Sequence, residues 1–192
     1  GIGQVARGWP DGKNKDPQKV APLIELLKDK DFEVRTQAAK VLGESAHAKA
    51  LEPLLSLLKD SSLRVRFHAA VALGKLRSAK AINPLIELVL KNDDDDAFLR
   101  HGAVMGLVGS TKTDPKVLLE LTSSSHSSVR LAAILALRRH ADPGISVFLK
   151  DEDLYLVTET ARAIHDDFSI PDALPALAEI LERSDLEGEP LI

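Results

Sequence analysis

The side chains of this 192-residue chain that could do chemistry are six histidines, an aspartate run, a serine cluster and a column of arginines. The histidines are His47, His68, His101, His126, His140 and His165. None is paired with another at i, i+4, and none is followed by glutamate. Helical zinc-hydrolase spacing and the His-Glu pairs of helical di-iron sites are therefore both missing. Asp93 to Asp96 gathers carboxylates that could hold Ca²⁺, yet it lacks the alternating ligands, glycine and distal glutamate of a calcium loop. A solvated turn with one aspartate capping the next helix is expected there. Serines cluster from Ser123 to Ser128 around His126, a helix-capping composition without a placed acid or base. There is no glycine-rich phosphate loop and no nucleophile elbow. With no cysteine in the chain, disulfides, thiolate metal sites, a thiol nucleophile and covalent haem attachment are excluded within it. The segment is expected to be non-catalytic and to hold no metal and no cofactor.

The elements that carry these residues repeat. One short helix is spelled five times: VRTQAAKVLGE from Val34, VRFHAAVALGK from Val65, LRHGAVMGLVG from Leu99, VRLAAILALRR from Val129 and LVTETARAIHD from Leu156. The starts are separated by 65 − 34 = 31, 99 − 65 = 34, 129 − 99 = 30 and 156 − 129 = 27 residues. A second apolar element precedes the early copies, opening on Pro22, Pro53 and Pro84. Proline is favoured in a helix's first turn because its missing N–H has no intrahelical partner there. Polar connectors such as Lys28 to Asp31 and Lys150 to Asp153 supply capping residues. Each unit therefore reads as helix A, tight turn, helix B. A period near 30 residues marks an α-solenoid, in which each repeat buries its apolar face only against its neighbours.

With about 100° per residue, Val34, Ala38, Val41, Leu42 and Ser45 share one core-facing arc of helix B. The Ala38 column continues as Ala69, Ala103, Ala133 and Thr160, and the Leu42 column as Leu73, Leu107, Leu137 and Ile164. Small residues in the first column let helices approach closely. The outermost columns are polar in the terminal copies, at Thr36 with Lys40 and at Thr158 with Arg162. In the middle copies they hold Phe67 and Val71, His101 and Met105, Leu131 and Leu135. Large exposed apolar patches mark interaction sites, so these six residues are the candidate concave interaction surface. The competing account is crowding of B helices on the inner face, which would bury the same side chains against each other. Arg35, Arg66, Arg100 and Arg130 form a column at the edge of the core face, broken by Val157. It is expected to be a structural ladder, with turn carboxylates such as Asp31 and Asp60 as partners and the stems packed, rather than an anion site.

Composition is that of a folded protein, 44% hydrophobic and 28% charged, with aromatics at only 4%. The net charge of −4 disfavours general nucleic-acid binding. Lys40, Lys75, Arg138, Arg139 and Arg162 could nevertheless line a basic groove. No apolar run approaches the roughly 18 residues that span a bilayer, so no membrane insertion by this segment is expected.

The motif VRxxAAxxLG preceded by PLIELLKDxD resembles the short HEAT-like repeats of phycobilisome-lyase type, over roughly residues 17 to 184. That resemblance implies an all-α, right-handed α–α superhelix of about five to six repeats with B helices on the concave side. It implies one solenoid domain over 1–184, with 1–16 the end of a preceding repeat plus linker and 185–192 a C-terminal tail. The stretch LVTETARAIHDDFSIPDALPALAEIL with LEGEPLI, and the opening GIGQVARG, resemble the HEAT segment of large bacterial membrane-bound-dehydrogenase-like, haem-c-binding proteins. This closer resemblance implies a fragment of a periplasmic or secreted multidomain protein, with propeller and haem motifs outside these positions. The leading functional expectation is a non-catalytic scaffold for a protein partner or for flanking domains of the same chain. The alternatives are a lyase or metal-dependent enzyme of the same repeat class, and a nucleic-acid-binding repeat protein.

Overall fold

The computed structural model describes residues 22–166 and 170–180. The opening GIGQVARG, the expected linker over 1–16, the closing LEGEPLI and the 185–192 tail lie outside the described residues. The fold is an all-α solenoid, and among the described residues there is no strand.

Two compact units divide the chain, residues 1–111 and 112–192. In the first, helical backbone at 22–25 tightens into a 3₁₀ turn, Leu26–Lys28, and then α1 (Phe32–Ser45) follows. The 3₁₀ turn Ala48–Ala50 leads into α2 (Leu51–Leu57), followed by α3 (Leu63–Leu76). Ala79–Ala81 leads likewise into α4 (Ile82–Asn92), followed by α5 (Ala97–Ser110). Pro53 and Pro84 sit in the first turns of α2 and α4, where their lack of an N–H costs nothing. Asp31 begins α1 by accepting from the Glu33 N–H at 2.8 Å, and Asp96 begins α5 by accepting from the Leu99 N–H at 2.7 Å. Ala46 and Arg77 end α1 and α3 in left-handed backbone.

The second unit holds α6 (Ser127–His140), α7 (Leu154–His165) and α8 (Leu174–Glu179). Two of its A elements differ from the α-helices expected. Pro115–Ser123 and Pro143–Lys150 are 3₁₀ helices of 9 and 8 residues. A 3₁₀ helix rises about 2.0 Å per residue against about 1.5 Å for an α-helix. The shorter repeats of this half can thus cross a B helix with fewer residues.

The core follows the expected columns. Leu42, Leu73, Leu107, Leu137 and Ile164 are fully buried, as are Ala69 and Ala133. The A elements answer with Leu54, Leu85, Leu118, Ile145 and Phe148, all buried. In the first unit the B helices pack almost backbone to backbone. A Cβ added at Gly43 would lie 2.6 Å from Ala72, and one at Gly109 would overlap the Gly74 carbonyl oxygen. A Cβ at Gly74 would meet the Met105 carbonyl oxygen at 2.6 Å. These obstacles are main-chain atoms, which cannot rotate away. Gly74→Ala and Gly109→Ala should each therefore lower the unfolding free energy by about 1–3 kcal/mol through overpacking, and Ala69→Leu should do the same. Urea unfolding of the three variants against the parent checks this, and unchanged midpoints would contradict the packing.

Candidate functional site

The arginine column divides into paired and unpaired members. Arg35 binds Asp60 with two prongs, Nε to Oδ2 at 2.7 Å and Nη2 to Oδ1 at 2.9 Å. Its Nη1 donates to the Asp29 carbonyl at 2.7 Å. Arg130 does the same with Asp151, at 2.8 and 3.0 Å, and with the Ser124 carbonyl at 2.7 Å. Each guanidinium thus ties its own A–B turn to the turn of the next repeat, while the carboxylate accepts a turn N–H, from Ser62 or Asp153. Burial pushes the Asp60 carboxyl upward. The hydrogen bonds from Arg35 and the Ser62 N–H, with the charges of Arg35 and Arg66, outweigh it and hold the group below its ordinary range. Asp31, an expected arginine partner, caps α1 instead. Arg100 pairs with Asp94 inside its own turn. The Nε of Arg66 is buried without a hydrogen-bond partner. Asp60 stands 25 residues beyond Arg35; the same step from Arg66 reaches Lys91, which cannot accept.

The six stripe residues are not uniformly offered to solvent. Phe67, Val71, Met105 and Leu135 are half-buried, His101 is exposed, and Leu131 is buried at 3% exposure. Leu131 is therefore a packed residue and not part of an open surface. Thr36, placed outermost by the helical wheel, is fully buried. At Phe67 the partial burial has a visible cause in Gly102, whose missing Cβ would lie 2.6 Å from the Phe67 ring. Phe67 leans across the narrow gap onto α5, so the neighbour's side chain, and not the wheel alone, decides exposure. Phe67 also stacks on His101 with centroids 6.4 Å apart and planes 18° from parallel. His68 meets the Phe67 ring edge-on at 4.9 Å.

Along the stripe of the first unit lies a depression of about 270 Å³. Phe67, Val71, Ala72 and Met105 make its floor, and Lys40, His68, Lys75 and His101 its rim. His68 and Lys75 lie in wheel columns next to that of Val71, a sequence signal that the two outermost columns alone do not contain. Partial burial, then the charges of Lys40 and Arg64, hold the His68 imidazole below its ordinary range. A larger depression of about 380 Å³ lies between α2 and α4. It mixes Glu52 and Glu87 with Lys59 and Lys91 and so presents no net charge to a ligand.

The other candidate groups stay apart. Among the described residues no three histidine or acidic side chains gather as a metal site. Within the aspartate run, Asp94 pairs with Arg100 and Asp96 caps α5. His126 contacts Ser125 at 3.0 Å on an exposed turn. Of the basic residues in the second unit, Arg138 faces Asp166 at 3.5 Å and Arg162 faces Glu159 at 2.8 Å. No helix among the described residues is long and apolar enough to cross a membrane.

A family model described as HEAT repeats matches residues 20–108, the stretch that contains the 270 Å³ depression. No curated protein matches the chain. Among solved structures, the crystal structure of an engineered protein from a structural genomics consortium is 22% identical. The match covers 84% of this chain and 84% of that one, with a TM-score of 0.48.

The paired and unpaired arginines should respond unequally to the same change. Arg130→Met leaves Asp151 buried and uncompensated, and should cost about 3–5 kcal/mol. Arg66→Met removes a half-buried guanidinium whose Nε has no hydrogen-bond partner and gives up only its charge near Asp60, so it should cost less than about 1 kcal/mol. Urea denaturation distinguishes them; equal losses would mean that the ladder is uniform. Acidification should destabilise in two steps. His68 and His140 are both held below the ordinary imidazole range, first by burial. Their neutral forms stabilise the fold above that range, and this is lost as pH falls through the lowered values. Asp60 is stabilising above the ordinary carboxylate range and lost below it by the same linkage. His68→Gln with His140→Gln should flatten unfolding free energy between about pH 7 and 5.5 while leaving the lower step in place.

Proposed function

We propose that this chain is a non-catalytic interaction scaffold whose first unit holds a protein partner, or a flanking domain of the same chain, on its B-helix face. HEAT-type solenoids present repeated helices as extended binding surfaces. The observation that carries the reading is the depression floored by Phe67, Val71 and Met105, an apolar patch with an aromatic at its centre and a polar rim. That is the anatomy of an interaction hot spot. His101 and Leu135 extend the accessible stripe in their respective units, while Leu131 supports it from within. The one-domain expectation over 1–184 is part of the proposal, with the two compact units as its halves. The depression is lined by His68, His101 and two exposed lysines with no carboxylate beside them to form an acid–base pair, which favours binding over chemistry.

The wider context implied by the closer resemblance, a segment of a haem-binding dehydrogenase-like protein, rests on the sequence stretches quoted above. The full-length gene product tests it: flanking propeller and Cys-x-x-Cys-His sequences support it, and their absence removes it.

A photo-crosslinking side chain at Met105 should give a discrete cross-linked species in the source cells, with Glu87 as the control position. Val71→Asp should abolish that species while leaving the melting temperature near that of the parent. A species that persists in Val71→Asp, or forms equally from Glu87, would contradict docking on this face.

A further inference from the structure

The charges around the depression identify what it receives. Lys40 from α1 and Lys75 from α3 stand on its rim, both exposed. Neither has an ion pair among the described residues. No carboxylate lines the depression. Glu33, which favours protonation of His68 from α1, is engaged by Arg64 at 3.1 Å. A chain of net charge −4 thus carries a local cationic rim around an apolar floor. After burial, the charges of Lys40, Arg64 and Lys75 all disfavour protonation of His68. Like charges gathered without compensation are unfavourable until an anionic partner arrives, and such complementarity sets specificity and encounter rate.

Size narrows the partner further. Drug-sized ligands occupy pockets of about 300–1,000 Å³, and this one is about 270 Å³. It accommodates one large side chain of a longer molecule. The Phe67–His101 stack gives that side chain an aromatic wall, which suits an offset or edge-on ring. A nucleic-acid groove would need cations repeated along a strand, and the rim offers two lysines.

We infer that the depression between α1, α3 and α5 receives a short acidic segment of a protein partner. One aromatic or large aliphatic side chain of that segment sits on Phe67, Val71 and Met105, and its carboxylates face Lys40 and Lys75. This rests on the interaction reading above and specifies the partner's chemistry.

The test uses the full chain and fluorescence anisotropy with labelled peptides. The probe is Gly-Glu-Glu-Phe-Glu-Glu-Gly. One control replaces every glutamate by glutamine, a second replaces phenylalanine by alanine, and a third is oligothymidylate. The acidic phenylalanine probe should bind at least about tenfold more tightly than either peptide control, and added salt should weaken it. Lys40→Glu with Lys75→Glu, both at exposed positions, should abolish binding of that probe with the melting temperature unchanged. Equal affinity for the glutamine peptide, retention of binding in the double variant, or tighter binding of oligothymidylate would each overturn the inference. The Met105 cross-link separates this from the broader reading. If it persists in Lys40→Glu with Lys75→Glu, docking on this face stands and the acidic chemistry falls. If it is missing from the parent protein while the probe binds as expected, the depression takes acidic segments and the scaffold reading falls.

Discussion

The closeness of the B helices is the constraint on which the first unit depends. Gly43 against Ala72, and Gly74 against Gly109, leave no room for a side chain between backbones. Helices this near cannot hold large residues in the contact itself, so those residues move to its margins. Phe67 lies over Gly102, and Val71 and Met105 line the same gap. The depression is thus a consequence of tight packing: large side chains displaced from a glycine and alanine seam form the walls of a shallow apolar hollow.

The arginine ladder solves a different problem, that of joining one A–B turn to the next. A bidentate guanidinium fixes both distance and orientation, and its third nitrogen binds a carbonyl of its own turn. Arg35 with Asp60 and Arg130 with Asp151 use the same geometry in separate units, so the device belongs to the repeat. It fails where repeat length or residue type changes. Lys91 takes the place of an acceptor for Arg66, and the longer aspartate-rich turn draws Arg100 to Asp94. The third repeat, spaced 34 residues from the second by its B helices, is where the ladder loses its register.

Much of this was legible in the sequence. The helix pairs, the core columns through Leu42 and Ala38, and the caps at Asp31, Asp96 and Asp153 all follow from residue type and spacing. The A elements Pro115–Ser123 and Pro143–Lys150 were legible as apolar segments but not as 3₁₀ helices, because hydrophobic periodicity over eight or nine residues separates the two windings poorly. Exposure along the stripe was the least legible feature. A helical wheel treats each helix as if its surroundings were uniform, whereas Thr36 and Leu131 are buried and His101 is exposed. The residue on the adjacent helix enters as well, as Gly102, 35 positions on, does for Phe67.

The same reasoning directs the proposed recognition to the differences between repeats. Positions that every copy must fill, such as the Leu42 column, report on packing. Positions whose chemistry changes from copy to copy are free of that duty and can carry recognition. The Lys40 column is lysine in α1, valine in α3 and methionine in α5, so one end of the hollow is cationic and its floor is apolar. Lys75, beside that column on α3, extends the cationic rim, and the neutral His68 joins it to a single aromatic centre. On the proposed reading a partner meets a graded surface across three helices, and substitutions in any one repeat alter only one side of it.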